Sequence, residues 1–286
     1  MSSIVKTEAI VWKSMKYRDS SKIITLYTRR FGKMGVIAKG ARQSKSKYGT
    51  TLQPMSYVYI VLYKKEGREL QTLSQCDVIK FFRHLTEDLD KMAVGMSMIE
   101  LVAIVAHEQE ENSILFKLLV DSLSALNTAT KNPQNLFYYF EIRLSEILGF
   151  QPKFDKCISC RSILLAEKDV QPAFRPALRD AADRQASILS SNGSGRTIQF
   201  HLPKGGPLCR QCVRRQGEQM TLSFAVFRTL LQMTGTMNVD QVQDITVDKS
   251  SAKEIERFLW QYLQYHVSGM RELRSKGVFS KILQAS

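Results

Sequence analysis

Apolar and polar side chains alternate in short runs over the first quarter of the chain, whereas from about Phe81 apolar residues recur every three or four positions. The first pattern predicts strands and the second predicts helices. Glu8–Trp12, Lys22–Thr28, Lys33–Ala38, Ser56–Tyr63 and Glu69–Leu73 are rich in Val, Ile, Tyr and Leu and are separated by Gly, Ser, Lys and Asp, as strands joined by turns would be. In the fourth run Val58, Ile60 and Leu62 alternate with Tyr57, Tyr59, Val61 and Tyr63. Both faces are apolar or aromatic, so one is expected to line a core. Five strands in about 75 residues suit a small closed barrel. The five-stranded OB fold is the commonest solution of that size, and an SH3-like barrel fits the pattern almost as well.

Beyond the barrel, three sets follow helical spacing. They are Met92, Ile99, Val102, Ala103 and Ala106; Leu115, Leu118, Leu119, Ser122 and Leu126; and Leu136, Tyr139, Phe140, Arg143, Leu144 and Ile147. Asn112 is placed to cap the second, Pro133 to start the third and Gly149 to end it. Phe224–Met233, Ala252–Val267 and Gly269–Leu283 again have helical spacing. Residues 161–200 carry two prolines, scattered charge and the run SSNGSG, which predicts a mobile insertion. The expected organisation is therefore α+β and multidomain. A barrel fills residues 1–80, a helical domain begins at 81–150, a cysteine element with the flexible insertion spans 151–220, and the helical domain resumes at 221–286.

Charge sharpens this division. The 286 residues hold 41 Lys and Arg against 27 Asp and Glu, a net +14. The excess is +11 in residues 1–80, −5 in residues 81–150 and +8 in the remainder. Such a balance favours an anionic partner, nucleic acid before an acidic membrane surface. At 44% apolar and 24% charged residues, the composition excludes wholesale disorder, collagen-like and coiled-coil chains. The amino terminus lacks an apolar signal segment and Met96–Ala106 is interrupted by Ser97 and Glu100, so neither export nor a membrane span is expected.

Two motifs carry chemistry. Cys157-Ile-Ser-Cys160 and Cys209-Arg-Gln-Cys212 can bring four thiolates around one tetrahedral Zn²⁺, leaving no open position and so a structural site. The gap between the pairs is long, but closing a threefold longer loop costs only about 1 kcal/mol more. Core cysteines or a redox pair are the alternatives, and neither pair follows a strand in a βαβ setting. His201 is a substitute ligand on paper, although a loop histidine is more often solvated, and Cys76 reads as a small residue near a strand end. The second motif is the basic set Arg29, Arg30, Lys33, Lys39, Arg42, Lys45 and Lys47, flanking a strand and filling KGARQSKSKYG. Lys13, Lys16, Arg18 and Lys22 lie near it in sequence, with Tyr17, Tyr27 and Tyr48 interleaved. Long cations that displace counterions and aromatic rings that stack on bases suit a groove tracking a phosphate backbone.

Several features have plainer readings. Phe137–Phe140 on a helix flanked by Leu136 and Ile142 reads as core, and Glu108, Glu110 and Glu111 after His107 read as a solvated helix end. No P-loop, dinucleotide fingerprint, G-x-S-x-G, H-E-x-x-H or deaminase pattern occurs, and nothing in the chain looks catalytic. A zinc-containing nuclease would need clustered carboxylates that the sequence does not offer. A sequence-specific zinc-containing regulator is the remaining alternative, and it would show a large preference for one duplex site.

The blocks TEAIVWKSMKYRDSSKIITLYTRRFGKMGVIAKGARQSKSKYGTTLQP, FEIRLSEILGFQPKFDKCISC and GGPLCRQC, with the closing YHVSGMRELRSKGVFSKIL, resemble the RecO family of bacterial recombination mediators. That resemblance implies an N-terminal OB fold, a helical domain and an inserted four-cysteine zinc-finger element. It implies a non-enzymatic role in DNA repair and recombination, in the cytoplasm and at the nucleoid. Single- and double-stranded DNA would be bound, complementary strands annealed, and RecA loaded indirectly, with RecR and the single-strand-binding protein as partners. Matched by motif, the DNA contacts would fall on Lys39, Arg42, Lys45 and Lys47, beside Arg29, Arg30 and Lys33. One structural Zn²⁺ would be held by Cys157, Cys160, Cys209 and Cys212. The long insertion between the cysteine pairs is the departure from the family pattern.

Overall fold

The computed structural model describes residues 2–108, 110–162, 164, 197–213, 217–236, 238–270 and 273. The chain divides into two compact units, residues 1–129 with 272–286, and residues 130–271.

The first unit begins with strands β1 (Ser2–Tyr17), β2 (Ser21–Thr28), β3 (Gly32–Ala38), β4 (Tyr57–Lys65) and β5 (Leu70–Lys80). They form a closed barrel in the order β1-β2-β3-β5-β4. Of the two barrels the pattern allowed, this is the OB fold. β1 closes the ring because its first half pairs β4, from Ser2↔Lys65 to Ile10↔Tyr57, and its second half pairs β2, from Ala9↔Thr28 to Tyr17↔Ser21. The register slips between Val11 and Lys13, and such a bulge bends one strand across a barrel corner. Val11 N–H donates to Ser56 O at 3.0 Å and Met55 N–H donates to Val11 O at 2.8 Å, so the end of the β3–β4 loop pairs the backbone there.

Alternation along each strand fills the interior. β3 alternates buried and half-buried positions without exception. Val58, Ile60 and Leu62 of β4 are fully buried while Tyr59 and Tyr63 stand outside at 39% and 46% exposure, so the Val-Ile-Leu face is the inner one. β1 and β5 extend well beyond the expected runs Glu8–Trp12 and Glu69–Leu73. Polar Thr7 on the inner face of β1, where it is buried beside Ala9 and Val11, and Ser74–Asp77 on β5 hide the period in composition.

Among the described residues of this unit, three helices follow the barrel, α1 (Arg83–Glu87), α2 (Leu89–Val105) and α3 (Ser113–Thr128). Asp88 caps α2, and Asn112 Oδ1 accepts from the Leu115 amide at 2.9 Å to start α3, at the residue expected. The middle of α2 is buried on most sides, Ala93 to Gly95 and Ser97 to Ile99 included. It therefore lacks the polar stripe of a surface helix.

The second unit contains α4 (Pro133–Ile147), a three-stranded sheet of β6 (Thr197–His201), β7 (Gly206–Leu208) and β8 (Gln219–Ser223), and the short helix α5 (Arg210–Val213). α6 (Phe224–Gly235), a 3-10 turn at Val239–Asp244 and α7 (Lys249–His266) follow. Pro133 opens α4, and Gly149 follows it at φ +88°. The sheet was not expected. The last four residues of the segment read as a mobile insertion, Thr197–Phe200, form most of β6, with Ile198 and Phe200 turned into the core. Residues 165–196 of that segment lie outside the described residues, as does most of the helix expected at Gly269–Leu283.

The core of this unit is aromatic. Phe200 lies 5.5 Å from Phe154 and 4.9 Å from Phe258 between ring centres, and Phe154 lies 5.6 Å from Phe227. Tyr262 closes the group, donating its hydroxyl to Phe150 O at 2.5 Å. Phe137, Tyr138, Tyr139 and Phe140 are all buried, so the aromatic run on α4 is core.

Two measurements check this packing. Phe200→Ala is expected to lower stability by about 3–5 kcal/mol, whereas Ile4→Ala, 64% exposed, should change it by less than about 0.5 kcal/mol; urea midpoints decide. Asp248 caps α7, accepting from the amides and hydroxyls of Ser250 and Ser251, and those bonds hold its carboxyl far below the ordinary carboxylate range. A lowered folded pKa gives stability that is full above the ordinary value, near about 4, and fades as pH falls toward the folded one. The stability gap between the parent and Asp248→Asn should accordingly be widest at neutral pH and narrow in acid.

Candidate metal centre and nucleic-acid interface

The first cysteine pair lies beyond α4, after Gly149 at φ +88°. Lys153 N–H donates to Gly205 O and Ile158 N–H to Pro207 O, both at 2.8 Å, so this segment is hydrogen-bonded to the β6–β7 hairpin. Gly205 takes φ +62°, and a Cβ there would fall 2.4 Å from the Tyr262 hydroxyl. Arg161 N–H returns to Cys157 O at 2.9 Å, with Arg161 itself at φ +62°, which makes the first knuckle. Cys209 follows β7, and Cys212 N–H donates to Cys209 O at 3.0 Å, which makes the second.

These turns place the four sulfurs within 4.8 Å of one another. Sulfurs around a metal at about 2.3 Å stand about 3.8 Å apart, and Cys160 Sγ and Cys209 Sγ are separated by 3.6 Å. Cys209 N–H donates to Cys157 Sγ at 3.4 Å. Ser162 hydrogen bonds lower the Cys160 thiol to about 6, while burial pushes Cys212 up to about 12. Cys157 and Cys209 are buried against Leu164 and Leu208, and Cys160 is exposed. The set can hold a metal ion.

The other candidates fall elsewhere. His201 is a buried residue of β6 rather than a solvated loop residue, and its Nδ1 accepts from the Lys204 amide at 3.1 Å. Cys76 sits in the barrel core, where burial raises its thiol pKa. Glu108 is not at a helix end. It lies in the link between α2 and α3, bridged to Gly32 and Lys33.

The seven basic residues do not form one cluster. Arg29 and Arg30 occupy the β2–β3 turn with Lys33 just inside β3, whereas Lys39, Arg42, Lys45 and Lys47 follow its far end. The length of the strand separates the groups by about 20 Å. The first group is partly neutralised. Arg29 pairs with Glu8 at 3.3 Å, Lys33 with Glu108 at 3.9 Å, and Arg30 Nη1 donates to Lys6 O at 3.4 Å.

At the far end, Arg42 N–H donates to Ser20 O at 2.8 Å and its Nη1 to Arg18 O at 2.9 Å. These bonds fasten the β3–β4 loop to the β1–β2 turn. Lys47 Nζ donates to Ser74 O at 2.5 Å, and the buried Tyr48 donates its hydroxyl to Leu73 O at 2.8 Å, anchoring the loop to β5. Lys16 and Lys22 are cross-strand partners. This end therefore gathers Lys16, Arg18, Lys22, Lys39 and Arg42, with Lys45 beyond on the loop. None of the six forms an ion pair among the described residues.

Sequence spacing also missed cations. Lys64 Nζ stands 4.4 Å from the Phe31 ring centre, and Lys33, Lys64 and Arg68 line a common cleft. Lys33 lies some thirty residues from the other two in sequence and meets them only through the strand order.

Comparison with known proteins agrees with this architecture. Residues 1–82 match the family described as "Recombination protein O N terminal", and residues 86–188 and 174–276 match "Recombination protein O C terminal". The chain is 37% identical to a "DNA repair protein RecO" of Pelodictyon phaeoclathratiforme, over 98% of this chain and 99% of that protein. It is 27% identical to the protein of the same name from Chloroherpeton thalassium over 98% and 99%. Against that of Salinibacter ruber it is 43% identical over 154 residues, 54% of this chain and 59% of the relative. An OB-fold barrel, a helical region bearing two cysteine knuckles, and matches over nearly the whole length together establish that the chain belongs to the RecO family, recombination protein O.

Proposed function

We propose that this chain is a DNA repair and recombination mediator that binds single- and double-stranded DNA and anneals complementary strands without transforming a substrate covalently. The observation that carries the reading is the group of cations at the β1–β2 end of the barrel that form no ion pair among the described residues. Repulsion between two phosphate backbones opposes pairing, and ammonium and guanidinium groups that displace counterions reduce it. Lys39, Arg42, Lys45 and Lys47 contact one backbone, with Arg29, Arg30 and Lys33 at the opposite end of β3 available to a second. Contacts of this kind carry no sequence information, which suits annealing and argues against a site-specific regulator.

Family membership supports the finer assignments: RecR and the single-strand-binding protein as partners, indirect loading of RecA, and a cytoplasmic, nucleoid-associated location. Among the described residues no helix is long and apolar enough to cross a membrane. In this reading residues 1–80 form the DNA-binding domain, and the elements at 81–150, 151–220 and 221–286 supply the helical body and the finger.

Cys157, Cys160, Cys209 and Cys212 would hold one Zn²⁺. Four thiolates saturate its coordination, so the ion supplies a cross-link and no open site for chemistry. The residues themselves join the segment after α4 to the end of β7, and Ser162 stabilises the charge on the Cys160 sulfur.

Two measurements test the reading. The logarithm of single-strand affinity should fall linearly with the logarithm of salt, and reversing the charge of Lys39 and Arg42 together should flatten the slope by about 1.4 or more; an unchanged slope removes these residues from the interface. Protein purified without added metal should carry about one equivalent of zinc, lost in Cys157→Ser, and less than about half an equivalent counts against the tetrathiolate site.

A further inference from the structure

At one seam of the barrel, β3 and β5 pair only through Gly35–Ile37 and Leu70–Thr72. The first residues of β3 therefore have no β5 partner on that side. A cleft of about 580 Å³ opens there, lined among others by Lys33, Gly35, Lys64, Arg68, Glu69 and Glu108. That size is ordinary for a ligand cleft. Three cations line it, and Phe31 in the adjoining turn lies beneath Lys64 Nζ and 5.4 Å from the Arg30 guanidinium.

The link between α2 and α3 crosses this seam. Lys33 N–H donates to His107 O at 3.4 Å, Glu108 bridges both Gly32 and Lys33, and its Oε1 lies 3.9 Å from Lys33 Nζ. Gly32 is required for so close an approach, because a Cβ there would fall 2.4 Å from Glu110 O and 2.7 Å from His107 O. The segment thus covers an open strand edge, a common need of sheet proteins, and it also delivers a carboxylate to a cleft cation. The Lys33 and Glu108 side chains remain 37% and 75% exposed, and exposed ion pairs are weak enough to be replaced by a competing anion.

We propose that this cleft is a second site for the backbone of single-stranded DNA, and that the Glu108 carboxylate occupies the place of a phosphate against Lys33 until DNA displaces it. The inference rests on the DNA-binding reading above and adds an internal competitor to it. Nucleic acid is favoured over an acidic peptide because Lys64 of the cleft and the neighbouring Arg30 sit beside the aromatic ring of Phe31. Arg68 also lies on the β4–β5 loop, one of the two loops through which OB folds hold oligonucleotides.

The test uses full-length protein and a fluorescently labelled oligothymidylate, with affinity read by anisotropy at fixed salt. Glu108→Gln should tighten binding about two- to fivefold, and the gain should vanish in a Lys33→Ala background. Any lost carboxylate makes a protein more basic, so Glu87→Gln is the matched control. Glu87 pairs with Arg83 at 2.8 Å on α1 and does not line the cleft. Arg68→Ala should weaken binding with no change in the folded far-ultraviolet dichroism. A gain equal to that of Glu87→Gln, a gain that survives Lys33→Ala, or tightening for an acidic peptide but not for the oligonucleotide overturns the proposal. A wild-type protein that does not bind the oligonucleotide at all overturns the DNA-binding reading itself. Normal wild-type binding with no distinct effect of Glu108→Gln overturns only the competitor.

Discussion

A single strand that must satisfy two neighbours governs the first unit. β1 gives one half of its hydrogen bonds to β4 and the other to β2, and the slip between Val11 and Lys13 lets it turn the corner between them. Closure leaves β3 and β5 to meet over only three residues. Every chemically interesting feature of the barrel follows from that geometry. The β1–β2 turn and the β3–β4 loop emerge at the same end, tied through Arg42 to Arg18 and Ser20, and the cations gathered there form no ion pairs among the described residues. At the other end the β2–β3 turn meets Glu8 and the acidic link. One barrel therefore carries an open cationic end and a partly neutralised one.

The second unit solves a different problem, the joining of distant sequence. Cys157 and Cys209 are 52 residues apart, yet their backbones are held by the β6–β7 hairpin, through Ile158 to Pro207 and Lys153 to Gly205. The aromatic group around Phe200 and Tyr262 supports that hairpin from beneath. Long intervening loops add little to closure entropy, so the sulfurs can meet irrespective of the segment between them. Backbone bonds shape both knuckles, and a metal held by the four sulfurs would cross-link them.

Much of this was legible in residue order because it is local. Val58, Ile60 and Leu62 announce an inner face, Asn112 and Pro133 announce helix starts, and C-x-x-C spacing announces a knuckle. What was hidden depends on partners remote in sequence. Lys33 and Lys39 look adjacent, but the strand between them sends them to opposite ends, whereas Lys33 and Arg68 look unrelated and share a cleft. Glu108 reads as solvated charge until the barrel seam is in view. β6 was masked because Ser, Asn and Gly immediately before it gave the whole stretch the composition of a loop, although Ile198 and Phe200 already alternate with Thr197 and Gln199.

The central claim is that the open cationic end of the barrel is where DNA lies. Lysine acetylation of the full-length protein with and without bound oligonucleotide, read by mass spectrometry, tests it most directly. Protection concentrated on Lys16, Lys22, Lys39 and Lys45, with Lys117 and Lys131 still fully reactive, is the result the account predicts. Uniform reactivity, or protection confined to lysines outside the barrel, would contradict it.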